Sequence, residues 1–204
     1  LEEARSHIID DLVRLSSETL PITQACGLVC AETVQATRSL PPFDNSAMDG
    51  YAVRASDISG ASKEAPANLE VVDLIPAGSH EQQPLSAAKA ARIFTGAPLP
   101  AGADTVVMQE NTLREGNVVS ILSAAPKGKN VRYRGEDVLE GTDVIPSGAV
   151  LKSGEIAMLG ALGRPVVQVY RRPHVALIPT GNELVEIDVP LKPGQIPNSN
   201  GVML

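Results

Sequence analysis

Tryptophan is missing from this 204-residue chain, and the aromatic set is two phenylalanines and three tyrosines. A core built here must come mainly from Val, Ile, Leu and Ala. Interleaved aromatics that stack on bases are missing too, and the net charge is −7. Both features argue against a nucleic-acid partner, because phosphate affinity needs clustered Lys and Arg. The acidic balance suits a cation, or an anion held locally by a few basic side chains. Cysteine is nearly absent: Cys26 and Cys30 stand alone in a C-x3-C spacing with no second pair to close a zinc or redox site. They read as small buried hydrophobes. His7, His80 and His174 are far apart and none falls in an H-x3-H frame, so a transition-metal site is not expected. No apolar run approaches the roughly 18 residues of a membrane span. The N-terminus reads as an acidic amphipathic helix rather than a signal peptide, which makes the cytoplasm the expected compartment.

What is present is a run of short elements with dense turn punctuation. Leu1, Ala4, Ile8, Leu12 and Leu15 recur at three- and four-residue steps, predicting a helix over 1–17 with one apolar stripe. The stripe is expected to be exposed unless HVALIPTG and a partner chain cover it. Between Gly27 and Pro41-Pro42, the alternating VCAETVQA predicts a strand. From 51 to about 125 come LEVVDLI, AARIF, TVVMQEN and VVSIL, separated by Gly- and Pro-bearing loops, a pattern that predicts a small β-barrel or sandwich. PLSAAKAA fits either a short helix or a turn. Ser153 is a candidate cap for a helix over 154–162, with Glu155 in its first turn and Gly163 as its left-handed stop. PVVQVYR and HVALIPTGNELV read as strands, the second of buried type. Asn198 or Ser199 is placed to cap a final helix. A strand, a loop and a helix start are the first half of an α/β unit, so the chain is expected to be the N-terminal piece of a longer protein.

Four loops carry more functional groups than turns need. In PPFDNSAMDGYAV, Asp44, Asn45, Ser46 and Asp49 crowd a glycine-bearing turn. Carboxylates there suit a hard cation such as Mg2+, and the competing explanation is Asx side chains bonding their own backbone. TGAPLPAGAD offers the Thr95 hydroxyl and an approachable backbone at Gly96, but lacks the P-loop spacing; a rigid connector explains it equally. KGKNVRYRGED sets Lys127, Lys129, Arg132 and Arg134 just before Glu136 and Asp137. Arginine forks suit phosphate and other oxyanions, while a solvated charged turn is the plainer alternative. PTGNEL places Glu183 just past an apolar strand, where α/β sheets bind ligands, or it is simply a turn. Together the four point to a phosphate-bearing ligand with Mg2+.

PPFDNSAMDGYAV, IFTGAPLPAGADTVVMQE, NVRYRGED and PTGNEL, in this order and spacing, closely resemble the molybdopterin molybdenumtransferase (MoeA) family, which includes the C-terminal domain of gephyrin. The match runs from about residue 20 onward. The resemblance implies a mixed α and β, β-rich fold: an N-terminal helix (1–17) belonging with the α/β domain, a connecting domain (18–40 and 138–171), an inserted β-barrel-like domain (41–137), and the first elements of a truncated molybdopterin-binding-like α/β domain (172–204). It implies insertion of molybdate into adenylylated molybdopterin with Mg2+-dependent release of AMP, in a homodimer supplied by molybdopterin adenylyltransferase. Carried over by motif, Asp49, Asp137 and Glu183 are the catalytic candidates. Ser46, Thr95 and Arg132 are the substrate-binding candidates, with Arg132 as an anion contact. Asp49 and Glu183 are the candidate Mg2+ ligands. Asn182 stands where many members have Asp, which counts against that position as a cation ligand. The family's Gly-rich molybdopterin-binding segment and its C-terminal β domain are not in this sequence, so the chain alone is expected to be inactive.

Two other classes compete with an enzyme half-site. One is a scaffold or receptor-anchoring dimer of gephyrin type, and the other a β-domain binding module without chemistry. A scaffold has no chemical need for Asp49, Arg132, Asp137 and Glu183 together.

Overall fold

The computed structural model describes residues 2–10, 12–79 and 82–204. Leu1, the side chain of Ile8 and His80, all part of the sequence reading, lie outside the described residues. The elements are α1 (Glu2–Asp10), β1 (Ser17–Pro21), β2 (Val34–Gln35), β3 (Asn45–Ser46), β4 (Gly50–Val53), β5 (Ala67–Ile75), β6 (Lys89–Ile93), β7 (Thr105–Met108), β8 (Thr112–Glu115), β9 (Val118–Ile121), β10 (Val131–Arg132), β11 (Asp143–Ile145), α2 (Ser153–Ala161), β12 (Val166–Tyr170), β13 (Leu184–Val185), β14 (Ile196–Pro197) and α3 (Ser199–Met203). The fold is mixed α/β and β-rich, with few and short helices. Two compact units divide it: 1–18 with 170–204, and 19–169.

The second unit is organised by a six-stranded sheet in the order β7-β4-β6-β5-β9-β8. The β5–β6 pair is parallel and the others are antiparallel. Its two edges do not meet, so the sheet is a curled half-barrel rather than a closed one. Strand residues alternate between faces, and here both faces are covered. Tyr51, Val53, Ala90 and Val107 join Ile58, Leu69, Val119 and Ile121 on one side. Ala52, Ala91, Ile93 and Val106 join Ile75, Leu85, Ala97 and Val131 on the other. A third cluster combines Ala25, Leu28, Cys30, Val34 and Ala36 with Ile145, Leu151, Leu159, Leu162, Val167 and Val169. The largest fully buried side chains are all Ile, Leu or Val, the core that scarce aromatics require.

Several expectations need correction. The first helix ends at Asp10; Leu12 and Leu15 lie beyond it, and the chain turns extended at β1, which pairs with β12. Ile9, Leu12 and Leu15 are exposed. VCAETVQA yields only the two residues of β2 and single bridges at Val29 and Cys30. Cys30 is buried as expected, but Cys26 is exposed. HVALIP is not a strand: Val175, Leu177 and Ile178 are exposed and without a ladder partner among the described residues. An apolar run becomes a strand only where a neighbour accepts its backbone hydrogen bonds.

The helix α2 starts one residue early, at Ser153, and its cap is supplied differently. The Glu155 carboxylate accepts the Lys152 N–H at 2.8 Å, which holds its pKa below the ordinary glutamate value. Gly163, at φ +71°, ends the helix as expected. Asn198 caps α3 by accepting the Gly201 N–H at 3.0 Å.

PLSAAKAA is not a helix: residues 84–88 are loop and turn, and Lys89, Ala90 and Ala91 open β6. Its turn puts Ala88 at φ +58°, where a Cβ crowds the following carbonyl. The backbone is held there because Ala88 N–H donates to Asp57 Oδ2 (2.9 Å) and its carbonyl accepts from Glu70 (3.2 Å). Ala88 is exposed, so its methyl group contributes no packing. Ala88→Gly is therefore expected to stabilise the chain by about 1 kcal/mol. A denaturant midpoint that does not rise would contradict this.

Candidate functional site

Three of the four loops singled out by sequence are stitched together by backbone. β3 pairs with β10, setting Ser46 opposite Val131 and Asn45 opposite Arg132. The Ala47 N–H donates to the Asn130 carbonyl at 2.9 Å. Ser46 N–H donates to the Ala97 carbonyl (3.0 Å), and Gly96 N–H donates to the Ser46 carbonyl (2.8 Å). FDNSAMDG, TGAP and KNVRYRGED thus form one loop cluster beside the sheet.

The polar excess of the first loop divides into structural and uncommitted groups. Asp44 accepts the Arg134 N–H at 2.7 Å. Asn45 is buried and donates its amide to the Phe43 carbonyl at 3.3 Å. Ser46, expected among the substrate contacts, is 1% exposed and donates its hydroxyl to the Met48 carbonyl. It shapes the turn from inside, the Asx- and Ser-type chemistry weighed for this loop.

Asp49 differs from these three. It is exposed, at the tip between β3 and β4. Its Oδ1 accepts both the backbone N–H and the hydroxyl of Thr95, each at 2.8 Å. These two bonds, first the backbone one, with the charge of Arg92 as a smaller aid, hold its pKa below the ordinary aspartate value. The group is ionised at neutral pH. Oδ2 has no hydrogen-bond partner among the described residues. A pinned, ionised carboxylate with one oxygen facing solvent suits a hard cation or a polar substrate group.

Thr95 reaches this position because β6 ends at Ile93 and Gly96, at φ +79°, turns the chain sharply behind it. At the other side of Asp49, Gly50 is buried, and a Cβ built on it would lie 1.9 Å from the Val107 carbonyl oxygen. The Asp-Gly pair therefore combines an exposed functional group with a point of close strand contact.

Arg132 and Asp137, expected as an anion contact and a catalytic acid, are paired with each other. Both side chains are about half exposed, and such pairs stabilise by at most about 1 kcal/mol. An incoming anion can compete for the guanidinium at little cost. No hydrogen bond or ion pair joins either residue to Asp49 among the described residues.

Glu183 belongs to the other unit. It is exposed, and its backbone carbonyl accepts the Ile196 N–H at 2.8 Å beside the short parallel β13–β14 pair. Among the described residues, no three His, Cys, Asp or Glu side chains gather as a metal site.

Sequence reasoning passed over Arg92 and Gln109. Arg92 donates to the Gly50 carbonyl (3.0 Å) and to Gln109 Oε1 (2.6 Å). Its one visible signal was a charge inside the apolar strand AARIF. No helix among the described residues is long and apolar enough to cross a membrane.

Comparison with known proteins supplies the context for this geometry. Residues 1–163 match the model of the MoeA N-terminal region (domain I and II). A molybdopterin molybdenumtransferase of Nostoc sp. is 48% identical over 184 residues, covering 90% of this chain and 42% of its own length. Molybdopterin molybdenumtransferase 2 of Mycobacterium tuberculosis is 46% identical over 186 residues, covering 91% and 46%. The crystal structure of a molybdopterin biosynthesis MoeA protein from Pyrococcus horikoshii OT3 superposes with a TM-score of 0.89 at 36% identity, over 99% of this chain and 54% of that one. The chain thus spans about half the length of the curated relatives it matches. With the family model covering most of its length and the fold superposing throughout, this chain belongs to the MoeA family, as its N-terminal domain I and II region.

Proposed function

We propose that a full-length protein carrying this chain inserts molybdate into adenylylated molybdopterin and releases AMP in a Mg2+-dependent step. The observation that carries this is Asp49: an ionised, surface-facing carboxylate pinned by Thr95, in a chain whose relatives are named molybdopterin molybdenumtransferases.

Asp49 Oδ2 is the atom of the 19–169 unit that would ligate Mg2+, and Glu183 is the candidate carboxylate of the other unit. Magnesium is commonly held by one or two carboxylates together with substrate phosphates and water, so the remaining ligands come from the substrate. Bound there, Mg2+ would neutralise charge at the adenylate being cleaved. Thr95 keeps Asp49 ionised and aimed. Arg132 binds an oxyanion, molybdate or phosphate, by exchanging its contact with Asp137. Asp137 then serves as the free acidic group beside that anion.

The inserted β-rich domain spans 41–137 and the connecting domain 18–40 with 138–171, a partition supported by separate hydrophobic clusters in the two regions. The active protein is a cytoplasmic homodimer that receives its substrate from molybdopterin adenylyltransferase.

The test is AMP release from adenylylated molybdopterin with molybdate and Mg2+. The full-length protein is expected to release AMP, and residues 1–204 alone are expected to release none above background. No release by the full-length protein would contradict the proposed activity. Release by residues 1–204 alone would show that the described loops form a complete site.

A further inference from the structure

We propose that Arg92 is a positioning residue for Asp49, its guanidinium bridging the Gly50 carbonyl and the Gln109 side chain and so fixing the carboxylate against Thr95.

The geometry is a closed ring around one peptide. Arg92 lies on β6 directly opposite Tyr51 of β4. One of its terminal nitrogens donates to the carbonyl of Gly50, the residue after Asp49, and the other to Gln109 Oε1. Gln109 returns to the same turn: its N–H donates to the Asp49 carbonyl at 3.1 Å. The carbonyls of Asp49 and Gly50 are thus both held, one by Gln109 directly and one by Arg92. Arg92 and Thr95 leave the same end of β6, so the side chain that holds the Asp49 backbone and the one that holds its carboxylate share one rigid base.

The guanidinium is itself held in place. Its carbon lies 4.8 Å from the Phe94 ring centroid and 5.3 Å from that of Tyr51, within the range of cation–π attraction. Two of this chain's five Phe and Tyr residues therefore serve to orient Arg92. A lysine would keep the charge but lose the planar fork, so it cannot bridge both acceptors in this geometry. Arg92 touches no reacting atom; it acts through Asp49.

The kinetic consequence rests on the function proposed above, whereas the structural one does not, and two experiments separate them. The first measures amide exchange by NMR in the 204-residue chain. Arg92→Lys is expected to accelerate exchange of the Thr95 N–H about tenfold, the scale of one lost hydrogen bond, while the Val119 amide in the β5–β9 ladder stays protected. Thr95 exchange equal to wild type would overturn the proposal. Should Arg92→Lys not fold, Gln109→Leu removes the other arm of the bridge and gives the same readout.

The second measures AMP release in the full-length protein. Arg92→Lys is expected to lower kcat about a hundredfold, the scale of a misplaced catalytic group, with KM unchanged. Combined with Asp49→Asn it is expected to add no further loss, because it acts only through that carboxylate. Losses that multiply would overturn the proposal. Unaltered release by Asp49→Asn alone would defeat the functional reading, and the exchange experiment would still decide Arg92.

Discussion

Asp49→Asn is expected to lower molybdate insertion by about 10²–10³-fold or more, the scale of removing one electrostatic group from a catalytic site. The substitution keeps the size of the side chain, and an amide oxygen can still accept both bonds from Thr95. What it removes is the negative charge and with it the strength of a Mg2+ ligand. Because Asp49 is exposed and not part of any hydrophobic cluster, stability is expected to stay close to that of the unaltered protein. Activity should thus collapse in a protein that melts normally. AMP release and thermal unfolding measured on the same full-length preparation check both halves. If insertion is lost while dimerisation survives, a purely scaffolding role does not account for this loop. An unchanged insertion rate would remove Asp49 from the chemistry.

Gly50→Ala, one residue away, is expected to do the reverse: to unfold the chain rather than disarm it. A Cβ at this position would sit 1.9 Å from the Val107 oxygen and 2.8 Å from its carbonyl carbon. Those are backbone atoms of the adjacent strand, so no side-chain rotation can relieve the clash. β7 would have to move away from β4, breaking the register that sets Gly50 opposite Met108 and Tyr51 opposite Val107. Both strands contribute residues to both faces of the sheet, so the displacement would disturb both cores. A cost of about 3 kcal/mol or more follows, at the upper end of overpacking effects. Gly96→Ala makes the natural comparison. Its Cβ meets nothing within 4 Å, but its φ of +79° is strained for alanine, which costs only about 1–2 kcal/mol. Denaturant midpoints of the two variants should therefore rank Gly50→Ala as clearly the worse, and equal midpoints would contradict the close-contact explanation.

The DNSAMDG loop illustrates how far composition alone could reach. Its polar density marked it as unusual, but composition could not separate Asp44, Asn45 and Ser46, which serve the loop's own backbone contacts, from Asp49, which does not. That separation depends on which donor lies nearby, and the donor for Asp49 comes from Thr95, 46 residues further on. Arg92 was overlooked for a related reason. Within AARIF it reads as the polar alternation of a strand, and only the β4–β6 register brings it to Gly50.

Local signals determined much of the remainder. Gly163 and Asn198 behave as end-of-helix and start-of-helix residues because capping depends on a few neighbouring backbone groups. The predicted strands of the six-stranded sheet are present because their β-branched patterns coincide with real neighbours. The apolar stripe of 1–17 and the run HVALIP carry equally clear patterns, yet the first is cut short at Asp10 and the second forms no strand. By itself, then, the sequence determined the family motifs, the β-rich class and the aliphatic core. The tertiary structure decided which polar groups remain available for chemistry and how long each element runs. Those outcomes depend on hydrogen-bond partners far away in the chain, which pattern and propensity do not encode.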